Sequence, residues 1–266
     1  LKILVTGAAG AVGRLLVPLL RGSYALRLCD IRPIAETCTE DEVIQGDLAD
    51  PSFARRVTAG TDGVLHLAGL VASRVSFEDT LNGNYRALLA MLEACRQEKV
   101  QRFVFASSHH IVGLLPSDRM YDEAAAPVPD GFYGLSKAFG EAACALYAHR
   151  FGIATLVVRI GNADPQIVDG RRERLWVSGR DLAQLITIGF TTPGLRYEVV
   201  HGVSQCPSPI FSNDAAERLG YRPADAAGDH HAPEFRALSE LTEADGAAQV
   251  GGRFAADPLP DPLVLL

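Results

Sequence analysis

The sequence predicts an α/β fold, a Rossmann-type doubly wound parallel sheet with a small C-terminal substrate-binding portion. Three observations carry that prediction. An apolar run at 2–6 feeds a glycine-rich turn, Gly7-Ala8-Ala9-Gly10-Ala11-Val12-Gly13, which flows into RLLVPLL with helical apolar spacing. Short apolar runs then alternate with helical segments, which implies right-handed crossovers and a parallel sheet covered on both faces. The glycines or polar residues of these runs fall at their carboxyl ends, where open α/β sheets bind ligands.

Bulk properties bound the function. The 266 residues suffice for one large α/β domain or two small ones. No repeat or linker divides them, so a single domain is expected, with a dinucleotide-binding core over about 1–160 and a smaller substrate-side region over about 161–266. At 48% apolar and 21% charged the composition is that of a soluble globular protein. The net charge of −7 and the lack of a basic block exclude nucleic acid as a partner. No apolar run reaches membrane-spanning length. The first residues read as a strand rather than a signal peptide, and the five scattered cysteines form no C-x-x-C pair. Reduced thiols in the cytoplasm and no structural zinc are therefore expected.

Taken in order, the turn at Gly7, Gly10 and Gly13 lets the backbone approach a pyrophosphate, and the helix opening at Ala11 and Val12 faces its charge. The next apolar run, 24–29, ends in Asp30. A carboxylate there grips both hydroxyls of an adenosine ribose and repels a 2′-phosphate, which predicts NAD over NADP; Arg32 is the counter-argument. A run at 42–45 leads to Gly46-Asp47-Leu48, and Asp50-Pro51 reads as N-cap and first helical residue. A run at 63–67 ends in His66-Leu67-Ala68-Gly69. Residues 84–98 have helical spacing, and Asn84 reads equally as their N-cap or as a support of a site. The run at 102–106 precedes Ser107-Ser108-His109-His110. Residues 116–131, rich in Pro, Asp and Ala, read as a loop approaching a site.

The next helix carries Tyr133 and Lys137 on one face. An ammonium beside a phenol lowers the phenol pKa, so the pair predicts a tyrosine usable as a proton acceptor. A buried strand is expected at 153–160, a helix from 178–181, a strand at 197–201 and a helix and turn at 216–225. Asp229-His230-His231 reads as a polar loop, and the acidic, Ala-rich remainder carries little information. His109 and His110 lack a third metal ligand, and on an extended segment their side chains would point apart. No metal is expected; one imidazole would reach a substrate and the other pack.

Together the glycines at 7–13, the acid at 30, Asp47-Leu48, the 66–69 turn and Tyr-x-x-x-Lys at 133–137 resemble the extended short-chain dehydrogenase/reductase (NAD-dependent epimerase/dehydratase) family over about residues 1–220. That resemblance implies that Asp47 and Leu48 contact adenine. It implies that Leu67, Ala68 and Gly69 line the cofactor, that Ile160 contacts the carboxamide, and that Ser107 touches cofactor or substrate. Tyr133 would take a hydroxyl proton, Lys137 would hold the ribose, and Ser108 would orient the reacting oxygen. FASSHHIVG, DGFYGLSKAFGE, VRIGNADP and the Arg-rich loop before Trp176 resemble the branch that oxidises C1 of galacturonate or glucuronate with NAD⁺ to an aldarolactone. In that branch an Asn stands at His109 and a Ser at Asn162. The likeness implies that Arg171 binds the carboxylate and that Ser73, Ser108, His109, His110 and Asn162 contact the sugar acid, with Arg172 and Arg174 at the surface. It also implies a homodimer or larger assembly paired through helices around 84–98 and 134–150. Nucleotide-sugar epimerase or carbonyl reductase is the alternative on the same core, and an NAD-sensing regulator without turnover the alternative of another class.

Overall fold

Ile3, Leu4, Val5 and Thr6 are fully buried, as a strand covered on both faces requires. They belong to β1 (Lys2–Thr6), the centre of the computed structural model, which describes residues 1–260. Then follow α1 (Ala11–Leu20), β2 (Ala25–Asp30), β3 (Glu42–Gln45), α2 (Pro51–Thr58), β4 (Gly63–His66) and α3 (Phe77–Thr80). Next come α4 (Ala87–Glu98), β5 (Arg102–Ser108), α5 (Phe132–Phe151) and β6 (Ala154–Ile160). The remainder holds β7 (Ile167–Asp169), α6 (Gly170–Glu173), α7 (Gly179–Thr191), β8 (Tyr197–Gly202), α8 (Asp214–Arg218), β9 (His231–Arg236) and α9 (Arg253–Ala256).

Seven strands pair in parallel in the order β3-β2-β1-β4-β5-β6-β8. One apolar core joins the sheet to α1, α7 and α8 through Leu16, Val17, Leu182, Leu185 and Ala216. The other joins it to α2, α4 and α5 through Phe53, Val57, Leu88, Met91 and Cys144. Strand order reverses between β1 and β4, so the connections leave in opposite directions and a cleft opens at their carboxyl ends.

The register aims β5 into that cleft. Phe105 pairs with His66 at the end of β4, whereas Ser107 and Ser108 run on beside Arg159 and Ile160 of β6. The strand therefore ends at Ser108, two residues later than its apolar run suggests. Asn84 also departs from its reading as an N-cap. It lies in a π-helical segment, Leu81–Arg86, between α3 and α4, and is buried. The extra residue per turn of a π segment turns its amide toward the site. Asp229-His230-His231 is likewise not a polar loop: His231 opens β9, which pairs with β7, and the His230 ring packs on Trp176 at 4.5 Å.

Small residues bring α5 close to the sheet. A Cβ on Gly134 would strike the His110 carbonyl, and one on Gly140 the Phe105 ring. That approach carries Tyr133 and Lys137 to the end of β5. Beneath it the buried Arg159 and Glu141 form two hydrogen bonds of 2.9 Å, and Ser107 Oγ donates to the same carboxylate at 2.8 Å. Removing one partner of a buried pair strands the other, so Glu141→Gln is expected to cost about 3–5 kcal/mol. A lowered thermal midpoint checks this; an unchanged midpoint would show that the pair does not hold β5 in place.

Candidate active site

The turn after β1 is built for close approach. Gly7 has φ of 71°, and a Cβ there would meet the Ala68 backbone; one on Gly13 would meet the carbonyls of Gly7 and Ala8. Gly10 caps α1 without a side-chain hydrogen bond, and no acidic residue occupies the first turn. Its leading N–H groups, at Ala11 and Val12 among others, are left to an anion. The Asp30 carboxylate is buried at the end of β2, where it accepts from Ala9 N–H and Arg32 N–H, each at 2.9 Å. Gly7, Gly10, Asp30, Asp47, Leu48, Leu67, Ala68 and Gly69 line one lobe of the cleft, and Arg32 sits at its rim. This lobe fits the adenosine and phosphates of a dinucleotide.

The second lobe, of about 400 Å³, is lined by Ser73, Ser107, Ser108, His109, His110, Tyr133, Lys137, Ile160, Asn162 and Arg171. The expected nicotinamide-side and substrate-side residues thus converge from β5, α5, β6 and the segment beyond it. Their partners differ from expectation in several places. Ser107 lines the cleft, but its hydroxyl is turned onto Glu141. The carbonyl of Ile160 already accepts from His109 Nδ1 at 3.1 Å. Ser73 Oγ donates to Asp257 at 2.6 Å. A buried Asn162 Nδ2 has no partner among the described residues.

Lys137 Nζ donates to the Ala106 carbonyl at 2.8 Å and lies 5.7 Å from the Tyr133 ring centre. Burial draws the ammonium down to about 8. Tyr133 keeps some surface in the cleft but is ringed by protein, and that loss of water pushes its hydroxyl up to about 12. The nearby Ser108 hydroxyl opposes the rise, and Asp130 adds to it. Lys137 is not among the causes of this shift: its ammonium is directed at the Ala106 carbonyl. Asn84 ties this region together. Its amide accepts from Leu70 N–H at 2.7 Å and donates to Ser136 Oγ at 2.8 Å, and Ser136 donates to the Tyr133 carbonyl at 2.7 Å.

His109 and His110 lie on a 3-10 turn, not an extended segment, so their rings lie 4.1 Å apart, tilted by 35°, instead of diverging. Both line the cleft. No group of three or more His, Cys, Asp or Glu placed to hold a metal occurs among the described residues. Arg171 is on the single turn α6, capped by Asp169, and its guanidinium is buried with one hydrogen bond, to the Val250 carbonyl at 2.8 Å. Burial, largest among the causes, lowers it to about 10, as expected of a cation with no carboxylate in contact. Arg172 lines the same lobe beside Asp169, and Arg174 is tied to the carbonyls of Ser208 and Ser117, so neither is a free surface charge.

Two contributors escaped sequence reasoning. Asp130 hydrogen-bonds His110, and Phe254 stacks on the His110 ring at 4.1 Å. The C-terminal segment folds back over the cleft, with Gly251 N–H on the Gly113 carbonyl and Asp257 on Ser73. Its composition holds no periodic signal of this return.

A glycine turn at the head of α1, a buried acid at the end of β2 and a Ser–Tyr–Lys group meeting in one cleft fit one class: a dinucleotide-dependent oxidoreductase of the doubly wound α/β type. The sequence profile of the NAD dependent epimerase/dehydratase family matches residues 3–163. This chain belongs to that family, and its cofactor is NAD. It is 38% identical over 261 residues to a uronate dehydrogenase of Pseudomonas putida, spanning 96% of this chain and 95% of that protein. Among solved structures it is similar to a point variant of uronate dehydrogenase from Agrobacterium tumefaciens complexed with NAD, with TM-score 0.88 and 33% identity over 97% of each chain. A glucuronic acid dehydrogenase from Chromohalobacter salexigens is similar with TM-score 0.87 and 33% identity, again over 97% of each chain.

Proposed function

We propose that this protein oxidises a hexuronate, galacturonate or glucuronate, at C1 to an aldarolactone, with NAD⁺ as oxidant. The observation that carries the substrate class is Arg171, a buried guanidinium on the cleft wall with no carboxylate partner among the described residues. A uronate carboxylate supplies the missing anion in a planar pair that neutral sugars cannot make. The names of the relatives, at 37–38% identity over most of the chain, agree with this reading.

When bound, NAD⁺ supplies the hydride acceptor. Gly7, Gly10, Ala11, Val12 and Gly13 cradle its pyrophosphate, Asp30 its ribose, Asp47 and Leu48 its adenine, and Leu67 to Gly69 with Ile160 its remaining length. Ser108 hydrogen-bonds the C1 hydroxyl and orients its proton. Tyr133 Oη accepts that proton as base, and Lys137 holds the ribose and adds positive charge beside it. His109, His110, Asn162 and Ser73 contact the sugar hydroxyls, and Arg171 the carboxylate. The core over about 1–160 holds the cofactor, and the region beyond it supplies most of the substrate side.

The direct test mixes the protein with NAD⁺ and a panel of uronates, neutral sugars and nucleotide sugars, read by NADH absorbance. Turnover of uronates alone is expected; NAD binding without any turnover would overturn the reading in favour of a sensor. For the cofactor, Asp30→Ala is expected to lower kcat/KM for NAD⁺ by about tenfold or more, the worth of a charge-assisted hydrogen bond. It should also raise the use of NADP⁺ through Arg32, and unchanged preference would remove Asp30 from discrimination. We also place the protein in the cytoplasm as a homodimer or larger assembly. Five free cysteines agree with the first, and Leu89, Leu135, Leu146 and Phe151 exposed on α4 and α5 agree with the second. No helix among the described residues is long and apolar enough to cross a membrane.

A further inference from the structure

Asp130 precedes the catalytic helix by two residues, yet its side chain is wholly enclosed. Room for it exists only because two neighbours lack side chains: a Cβ on Gly113 or on Gly251 would run into the carboxylate. Within that enclosure Oδ1 has no partner, and Oδ2 lies 2.6 Å from His110 Nδ1. The other face of the imidazole arrangement is equally defined. Phe254 stacks on the ring at 4.1 Å, Tyr133 meets it edge-on at 5.5 Å, and Nε2 makes no hydrogen bond among the described residues.

A buried carboxylate and an imidazole nitrogen at this distance share one proton. Burial holds the ring neutral, with Arg171 adding to the effect, and lifts the carboxyl only to about 6. Near neutral pH the carboxylate is ionised and must accept, so the single ring proton sits on Nδ1. The adjacent ring follows the same rule: the Ile160 carbonyl can only accept, so His109 also carries its proton on Nδ1.

We infer that Asp130 is a positioning residue: it holds the His110 proton on Nδ1, so that Nε2 is presented to the cleft as a hydrogen-bond acceptor for a hydroxyl of the substrate. The dyad thereby selects a sugar acid with a donor hydroxyl at that point and rejects one carrying an acceptor alone. A site that hydrogen-bonds a hydroxyl discriminates strongly against an analogue lacking it, because its own polar atom is left unpaired. The inference rests on the uronate reading for its substrate, but the state of the ring is measurable without turnover.

The first measurement is the two-bond nitrogen–proton correlation of the histidine rings in the full-length protein near neutral pH, with His110 assigned by its loss in His110→Gln. A neutral ring protonated on Nδ1 is expected, and Asp130→Asn should move the population toward Nε2–H. A wild-type ring protonated on Nε2, or on both nitrogens, overturns the inference. The second is kinetic. Asp130→Asn is expected to raise KM for the uronate by about tenfold or more while KM for NAD⁺ stays within about twofold. One deoxyfluoro uronate, whose fluorine accepts but cannot donate, should be rejected by the wild type and no longer selectively rejected by Asp130→Asn. Equal discrimination by both proteins, or equal rises in both KM values, overturns the inference in favour of a purely structural Asp130. A wild type that turns over no uronate but shows Nδ1–H sinks the uronate reading while the assigned ring state stands.

Discussion

Replacing Tyr133 by Phe lowers kcat by about 10²–10⁴-fold, the contribution of a positioned acid–base group. The aromatic ring keeps its place against His110 and Phe254, so the packing of the cleft survives. Isothermal titration should then give an NAD⁺ affinity within about twofold of wild type. Retained turnover would remove Tyr133 from the mechanism. The same residue carries a pH prediction. Burial pushes its hydroxyl up to about 12, so the neutral phenol is favoured and ionisation is deferred to higher pH. Without cofactor, Tyr133 should contribute no tyrosinate absorbance up to about pH 10, the ordinary tyrosine value. The comparison is the difference spectrum between wild type and Tyr133→Phe. Positive charge brought near the phenol favours the ionised form, so the midpoint should fall in the NAD⁺ complex. Ionisation near neutrality in the unliganded protein would instead restore Lys137 as the source of activation.

Replacing Arg171 by Ala raises KM for the uronate by about 30- to 3,000-fold, the range for truncating one member of a buried charge pair. KM for NAD⁺ should stay nearly constant, since Arg171 lines the lobe away from the adenosine end. Arg171→Lys should recover only part of the loss, because an ammonium cannot pair in a planar fork with a carboxylate. Neutral sugars offer the control: if they are not turned over by wild type and gain nothing in Arg171→Ala, the cation serves the carboxylate alone. A uronate KM that does not change would move carboxylate recognition to another group.

Much of the fold could be read from the chain. The runs at 2–6, 42–45 and 197–201 match β1, β3 and β8 within a residue; β1, covered on both faces, is a continuous apolar segment, whereas β3 and β8 are partly exposed strands at the two edges of the sheet. Gly7, Gly13, Asp30, Tyr133 and Lys137 are also where their spacing puts them, since each is tied to the end of a regular element. What could not be read depends on neighbours distant in sequence. Asn84 reads as a cap until a π turn directs it at Leu70 and Ser136. Adjacent histidines read as divergent until a 3-10 turn brings their rings within 4.1 Å.

The sequence by itself determined the sheet, the glycine turn before α1, the acid at the end of β2 and the Tyr–Lys spacing, because all of these follow from local periodicity and residue spacing. The tertiary structure alone decided the electrostatic state of the site. The phenol is held neutral by burial, a buried guanidinium lacks a carboxylate, and Asp130 is fitted into the space left by Gly113 and Gly251 to set one ring proton. These are consequences of excluding water, and desolvation is a property of the packed surroundings that no short stretch of chain contains.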